Sequence, residues 1–161
     1  MDVRDGLLDT RVRDIVHSKS ALLESGGAVL TTEPSATVFD CIGRMVDRDI
    51  GSIVVVAGEE IAGIFTERHD MRSIALKGRS SKETEVREVM SSDVTTVQPD
   101  RNLEECLHLM TELRCRHLPV VGDNDELVGL VSIGDCVKRI LDTAHQEIDR
   151  LRRYTDRSYP T

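Results

Sequence analysis

Tryptophan is missing from this 161-residue chain, and two phenylalanines and two tyrosines are its only aromatics. Without stacking platforms it is poorly equipped to hold single-stranded nucleic acid. Positive charge is also short: 21 Lys and Arg stand against 29 Asp and Glu, giving a net charge of −8 and a pI near 5.1. Non-specific nucleic-acid binding depends on Lys and Arg neutralising phosphates, so nucleic acid is not an expected partner. No apolar run approaches the ~18 residues that span a bilayer, and no membrane partner is expected. The start, Met1-Asp2-Val3-Arg4-Asp5-Gly6, has neither an apolar signal core nor an acid-poor Arg/Ser composition, which makes a cytoplasmic location the expectation. Four cysteines, at 41, 106, 115 and 136, lack Cys-x-x-Cys spacing. They read as small buried hydrophobes in a reducing compartment, and no metal site is expected.

What the chain does have is a repeat. Arg116-His117-Leu118-Pro119-Val120-Val121, the polar turn Gly122 to Glu126, and Leu127-Val128-Gly129-Leu130-Val131-Ser132-Ile133-Gly134-Asp135 read as strand, turn, strand and helix start. Ile50-Gly51-Ser52-Ile53-Val54-Val55-Val56, a turn at Gly58-Glu59, and Ile61 to His69 repeat that layout. Pro34 and Pro99, Cys41 and Cys106, and Met45 and Met110 recur at an offset of 65, which becomes 66 for Gly63 and Gly129 and for Thr66 and Ser132. Upstream, Val12-Arg13-Asp14-Ile15-Val16 matches Val86-Arg87-Glu88-Val89-Met90 at an offset of 74 rather than 65, so the first copy carries nine extra residues around Ser18 to Ala28. A unit of about 65 residues buries too little surface to stand alone, so the two copies are expected to pack as one body.

The local pattern predicts the elements. Residues 1 to about 11 read as a polar lead-in, Val12 to Leu23 as a short helix stopped at Ser25-Gly26-Gly27, and Ala28 to Thr32 as a strand. A helix capped by Thr37 carries Val38, Cys41, Ile42, Met45 and Val46 on one stripe. Its counterpart starts at Asn102, with Glu105 three residues on, and carries Leu103, Cys106, Leu107 and Met110. The strands that follow are near-continuous apolar runs, as in sheets covered on both faces. Pro119 lacks a backbone donor, which places its strand at an edge or beside a cleft. Residues 10–76 and 86–142 thus form the repeats, with 77–85 as a polar connection. Beyond them, 143–161 form a helical extension and a tail fraying from Arg152-Arg153-Tyr154. The apolar stripe Val137, Ile140, Leu141, Ala144, Ile148 and Leu151 docks either on a partner subunit or back on the body.

The repeated order of elements, the Arg-His-Leu-Pro-Val-Val strand, the Gly-Leu-Val-Ser-Ile-Gly-Asp passage and the segment Lys77 to Lys82 together resemble the cystathionine-β-synthase (CBS) domain family in its tandem form. The resemblance covers roughly residues 10 to 142. It implies an α+β fold of two repeats, each a small, mostly three-stranded sheet with two helices, packed about a pseudo-twofold axis. It also implies a homodimer and an adenosine nucleotide in the cleft between repeats. AMP is the first choice, with ATP, ADP, NAD or S-adenosylmethionine open and no obligatory cofactor.

In that family the Ser/Thr-x-x-Asp passage holds the nucleotide, the hydroxyl directed at phosphate and the Asp at the ribose hydroxyls. Ser132 and Asp135 match both positions, with Ile133 between them. The first copy matches at Thr66, next to Arg68, but has His69 where the Asp should be, and Asp70 one residue on is ~100° round the helix. The plainer alternative is helix capping alone, with a hydroxyl at each N-cap and, in the second copy, an acid three residues on that closes a capping box. Arg116 and His117 are candidate phosphate ligands or simply a solvated charge and a satisfied half-buried histidine, and Pro119 is a candidate wall. Their first-copy counterparts Gly51 and Ser52 are small, so the two clefts are chemically unlike. Lys77, Arg79 and Lys82 are able to close over a polyphosphate but read better as a solvated linker.

No enzyme activity is expected. Cys115 with His117 lacks a third orienting group, and His17, His108 and His145 are scattered without metal spacing. The reading is a ligand sensor acting on an unnamed downstream protein. A ligand-free interaction scaffold, or a regulatory subunit for a separate enzyme or transporter, is the alternative.

Overall fold

The computed structural model describes residues 6, 9–16 and 29–157. The element order is β1 (Thr31–Thr32), α1 (Val38–Asp47), β2 (Ser52–Ala57), β3 (Glu60–Thr66), α2 (Glu67–Asp70), a π-helical turn (Met71–Ala75), a 3-10 turn (Val86–Glu88), α3 (Leu103–Glu112), β4 (His117–Val121), β5 (Leu127–Ser132) and α4 (Ile133–Arg157). Residues 12–16 form one more helical turn ahead of these. The α+β class, the two small sheets and the long final helix agree with the sequence. Among the described residues no helix is long and apolar enough to cross a membrane.

Both repeat helices start and stop on the same local chemistry. Thr37 Oγ1 accepts the Asp40 N–H at 3.2 Å, and Asn102 Oδ1 accepts the Glu104 N–H at 2.7 Å. Glu105, expected to close a box there, instead holds Arg101 at 3.1 Å. Val38, Cys41 and Met45 are buried on one helix and Leu103, Cys106 and Met110 on the other, whereas Val46 turns out to be 71% exposed. Each helix ends in a left-handed residue, Asp49 and Arg114, both at φ 51°. The next N–H then reaches five residues back, Ile50 to Met45 O at 3.0 Å and Cys115 to Met110 O at 3.1 Å.

The first sheet has the order β1-β2-β3, with β1 parallel to β2 and β3 antiparallel to it; the second has only β4-β5, antiparallel. Its third strand is reduced to one parallel bridge, Val97 to Val120, which is the counterpart of Thr32 to Val55. Pro119 supplies the reason. In the first repeat the Val54 N–H donates to Leu30 O at 3.1 Å, and Pro119, at the position of Val54, has no N–H to give. What remains is Val97 N–H to Pro119 O at 3.0 Å and Val121 N–H to Val97 O at 2.9 Å, so the Pro119 carbonyl is paired rather than open to a cleft. Among the described residues the first-copy strand covers Thr31 and Thr32, with Leu30 adding its carbonyl to the Val54 N–H. Ala28, the insertion from Ser18, the helix expected to reach Leu23, its stop at Ser25-Gly26-Gly27 and His17 lie outside the described residues.

The segment that precedes each repeat crosses to the other one. Val12 and Arg13 N–H donate to Arg101 O at 2.9 Å and Pro99 O at 2.8 Å, while Leu103 N–H donates to Thr10 O at 3.1 Å. The matching bonds run from Val86 to Ala36 O at 2.8 Å, from Arg87 to Pro34 O at 3.2 Å and from Val38 to Thr84 O at 2.9 Å. Val12 and Ile15 therefore belong to a core with Leu118, Val120, Val131 and Cys136, and Val86 and Val89 to a second core with Ile53, Val55 and Phe65. Among the described residues the core divides into two clusters, each completed by the segment leading into the other repeat. Thr10, read as part of a polar lead-in, is 4% exposed and bonds Gly6 O at 2.9 Å, just as Thr84 bonds Ser80 O at 2.8 Å.

Two further departures lie after the strands. The second helix of the first repeat is a four-residue turn that widens, Leu76 N–H reaching Met71 O at 3.1 Å, and the chain leaves it through Gly78 at φ 63°. In the second repeat the helix instead continues to Arg157, through the residues expected to fray from Arg152.

Candidate functional site

The strand-to-helix passages are built alike. Ser52 pairs with Thr66 across β2 and β3, and His117 with Ser132 across β4 and β5. One step before each pair, a strand carbonyl ties down the start of the helix: Gly51 O accepts from Glu67 N–H at 3.2 Å, and Arg116 O from Ile133 N–H at 2.9 Å.

At the second passage Asp135 Oδ2 accepts both the Ser132 N–H and the Ser132 hydroxyl at 2.8 Å, while the Asp135 N–H returns to Ser132 Oγ at 3.2 Å. This is a closed capping box at the head of a 25-residue helix. The first passage closes the same way with a different group. His69 Nδ1 accepts the Thr66 N–H at 3.1 Å and lies 3.1 Å from Thr66 Oγ1, its ring stacked on Phe65 at 6.0 Å between centroids. Since Nδ1 accepts, the proton of the neutral ring sits on Nε2. Burial first, then Arg72 and Arg68, push the His69 pKa below its ordinary value and favour that neutral ring.

The passages meet across the repeats at Gly51. A methyl group placed on Gly51 would lie 3.7 Å from Glu67 Oε2 and 3.8 Å from His117 Nε2, so the start of β2 faces the start of β4. His117 is half-buried here; Ser132, its cross-strand partner, and Asp135 are half-buried as well, while Arg116 and Arg68 are exposed and Ile133 is 39% exposed. Ser52 is 2% exposed and Pro119 is buried. Glu67 was not among the residues singled out from sequence. Its position matches Ile133, and pairing the two passages about the repeat axis would have pointed to it.

Other expected contributors lie elsewhere. Arg79 is paired with Glu88 at 2.7 Å and Lys82 sits 5.0 Å above the Phe39 ring, which favours the linker reading of residues 77–82 over a polyphosphate clamp. Burial pushes the Cys115 thiol up, the wrong direction for a nucleophile. An open cavity of about 830 Å3 lies between α1 and β1, where Glu33, Asp40 and Asp47 outnumber Arg44, and none of the expected site residues lines it. A phosphate is unwelcome there.

Comparison with known proteins places this architecture. The CBS domain model matches residues 12–69 and again 86–142. The mitochondrial CBS domain-containing protein CBSX3 of Arabidopsis thaliana is 36% identical over 159 residues, which cover 96% of this chain and 76% of that protein. A protein with CBS domains from Burkholderia ambifaria MC40-6 superposes with a TM-score of 0.76 at 44% identity, over 83% of this chain and 95% of that one. A CBS domain pair solved in complex with 5′-methylthioadenosine and S-adenosyl-L-methionine shares the fold, with a TM-score of 0.67 at 21% identity over 80% of this chain and 98% of that one. With two matched copies, exchanged lead-in segments and twinned strand-to-helix passages, the chain belongs to the CBS-domain family as a tandem pair.

Proposed function

We propose that the chain is a regulatory module that binds an adenosyl ligand at the cleft between its repeats. AMP is the first candidate, followed by ATP, ADP, NAD and S-adenosylmethionine. The observation that carries this reading is the second passage: Ser132 and Asp135 sit together at the N-terminus of a 25-residue helix, with Arg116 and His117 entering the neighbouring strand. Such a helix start offers N–H donors and positive potential to a phosphate. Ser132 would turn its O–H from Asp135 to the phosphate, releasing a carboxylate oxygen for the ribose hydroxyls. A related pair solved with two adenosyl compounds supports the ligand class.

The first passage is the weaker candidate. His69 commits Nδ1 to the Thr66 N–H and leaves one N–H donor where the second passage has a carboxylate. The module, with repeats at 10–76 and 86–142, would act as a homodimer without catalysis of its own. A ligand with unequal affinity for two dimer arrangements shifts the population that a downstream protein reads. One observation favours the alternative of a ligand-free scaffold: Ser132 and Asp135 already satisfy one another.

Calorimetric titration with AMP, ATP, NAD and S-adenosylmethionine, on wild type and Asp135→Ala, separates the two. The sensor reading expects one ligand to bind and the variant to lose a charged hydrogen-bonded contact worth about 1.5–3 kcal/mol. Silence from all four at millimolar concentration would sink it.

A further inference from the structure

Directly after the hydroxyl of each strand-to-helix passage stands one residue, Glu67 after Thr66 and Ile133 after Ser132. The two repeats differ there by a full charge. Gly51 O holds the Glu67 N–H at 3.2 Å and Arg116 O holds the Ile133 N–H at 2.9 Å, so both residues start their helices at the same place. The Glu67 carboxylate reaches to 3.7 Å from the point where a Cβ on Gly51 would sit, and His117 Nε2 comes within 3.8 Å of the same point. Carboxylate and imidazole therefore lie within one Debye length of each other, ~8 Å at physiological ionic strength. Glu67 is exposed, and it enters no ion pair or side-chain hydrogen bond among the described residues.

We infer that Glu67 sets the charge of the ligand that the cleft accepts, favouring an adenosyl compound with one phosphate or none over a polyphosphate. The inference rests on the adenosyl reading of the cleft and narrows it. The residues expected at the site carry two guanidiniums, Arg68 and Arg116, against one carboxylate, Asp135. Glu67 cancels that surplus. ADP and ATP bring further negative charge, and the basic linker is engaged elsewhere, with Arg79 paired to Glu88 at 2.7 Å and Lys82 5.0 Å above the Phe39 ring. A fixed carboxylate facing His117 makes binding costlier with every negative charge on the ligand and easier for a sulfonium. An acid in the first turn also suits the positive end of a helix, but that role is indifferent to what the cleft holds.

Calorimetric titration of the full chain and of Glu67→Gln with S-adenosylmethionine, AMP, ADP and ATP, in magnesium-free buffer, tests it. Gln keeps the length and polarity of an exposed side chain, and an unchanged melting temperature confirms the fold. One charge acting across ~8 Å of water changes affinity about 2-fold per unit of ligand charge. The variant is therefore expected to tighten about 4-fold for AMP and at least about 10-fold for ATP, and to weaken about 2-fold for S-adenosylmethionine. These differences shrink in 1 M salt, where the Debye length is ~3 Å. Asp47→Asn, beside the acidic cavity on α1, removes the same charge from the chain and is expected to leave the ligand order unchanged. A Gln variant in which ATP gains no more than AMP, or an Asn variant that reproduces its ranking, overturns the inference and leaves the adenosyl reading standing. Failure of all four ligands to bind either protein overturns both.

Discussion

The Thr66 N–H donates to His69 Nδ1 at 3.1 Å, so in the first repeat an imidazole closes the turn that the Asp135 carboxylate closes at Ser132 in the second. A departure that reads in sequence as a damaged ligand motif is thus an intact helix cap whose acceptor can be protonated. Protonation converts the Nδ1 acceptor into an N–H donor that faces the Thr66 N–H.

That substitution makes the first cap pH-dependent. His69 titrates below its ordinary value because it is buried beside Arg72 and Arg68. A depressed histidine contributes stability that is complete above the unfolded pKa and is lost as pH falls through the folded one. The urea midpoint of the wild type is expected to drop between about pH 7 and 5, and that drop is expected to shrink in His69→Asp, whose acceptor stays ionised there. Superimposable profiles would show that the cap does not titrate.

Gly63 and Gly129 occupy matching places but differ in what surrounds them. A Cβ at Gly63 collides with Met90 Sδ and meets the Ser91 carbonyl at 2.8 Å; at Gly129 the three nearest atoms all belong to the Val16 side chain, the first at 2.7 Å. Backbone yields less than a side chain, so Gly63→Ala is expected to cost about 1–3 kcal/mol and Gly129→Ala less, by chemical denaturation. The reverse order would contradict the packing.

Asp49 and Arg114 hold the left-handed conformation that ends α1 and α3. Glycine relieves that strain at some entropic cost. Arg114→Gly is expected to stabilise by about 0.5–1 kcal/mol, and Asp49→Gly by less because Asp tolerates this region better. Differential scanning calorimetry reads both.

Much of this architecture is written in local spacing. The stripes Val38-Cys41-Met45 and Leu103-Cys106-Met110, the caps at Thr37 and Asn102, and the paired strands all follow from neighbours within a few residues. Residues 12–16 are helical as their spacing suggests, but nothing local says that Val12 and Ile15 pack on Leu118 and Val131. The loss of the third strand is legible only once Pro119 is set against Val54, because the missing donor matters only where a partner carbonyl waits. Glu67 was missed for a similar reason, since its place in the cleft depends on how the repeats face one another.

Ile15→Ala separates the two cores. Ile15 is 5% exposed among residues of the second repeat, and its truncation is expected to cost about 2–5 kcal/mol. Hydrogen exchange should quicken first in β4 and β5. Faster exchange in β2 and β3 instead would mean that the segment belongs to the repeat it precedes.

Burial ranks the thiols. Cys41, Cys106 and Cys136 are buried and Cys115 is half-buried, with burial holding the Cys106 pKa up at about 11. A thiol reagent at mildly alkaline pH should modify Cys115 first and the other three only on unfolding, as mass spectrometry of timed samples would show.

The exchanged lead-in segments bear on how such a chain arises. A polypeptide with one repeat and its lead-in has a gap where Val12 or Val86 belongs and a spare segment that fits the same gap in a sibling molecule. Two siblings cancel each other's deficits, so the half-length ancestor is a poor monomer and a ready pair. Fusing the siblings end to end keeps every contact and removes the concentration dependence. It also ends their obligatory identity, leaving one half free to carry Gly51-Ser52 where the other carries Arg116-His117.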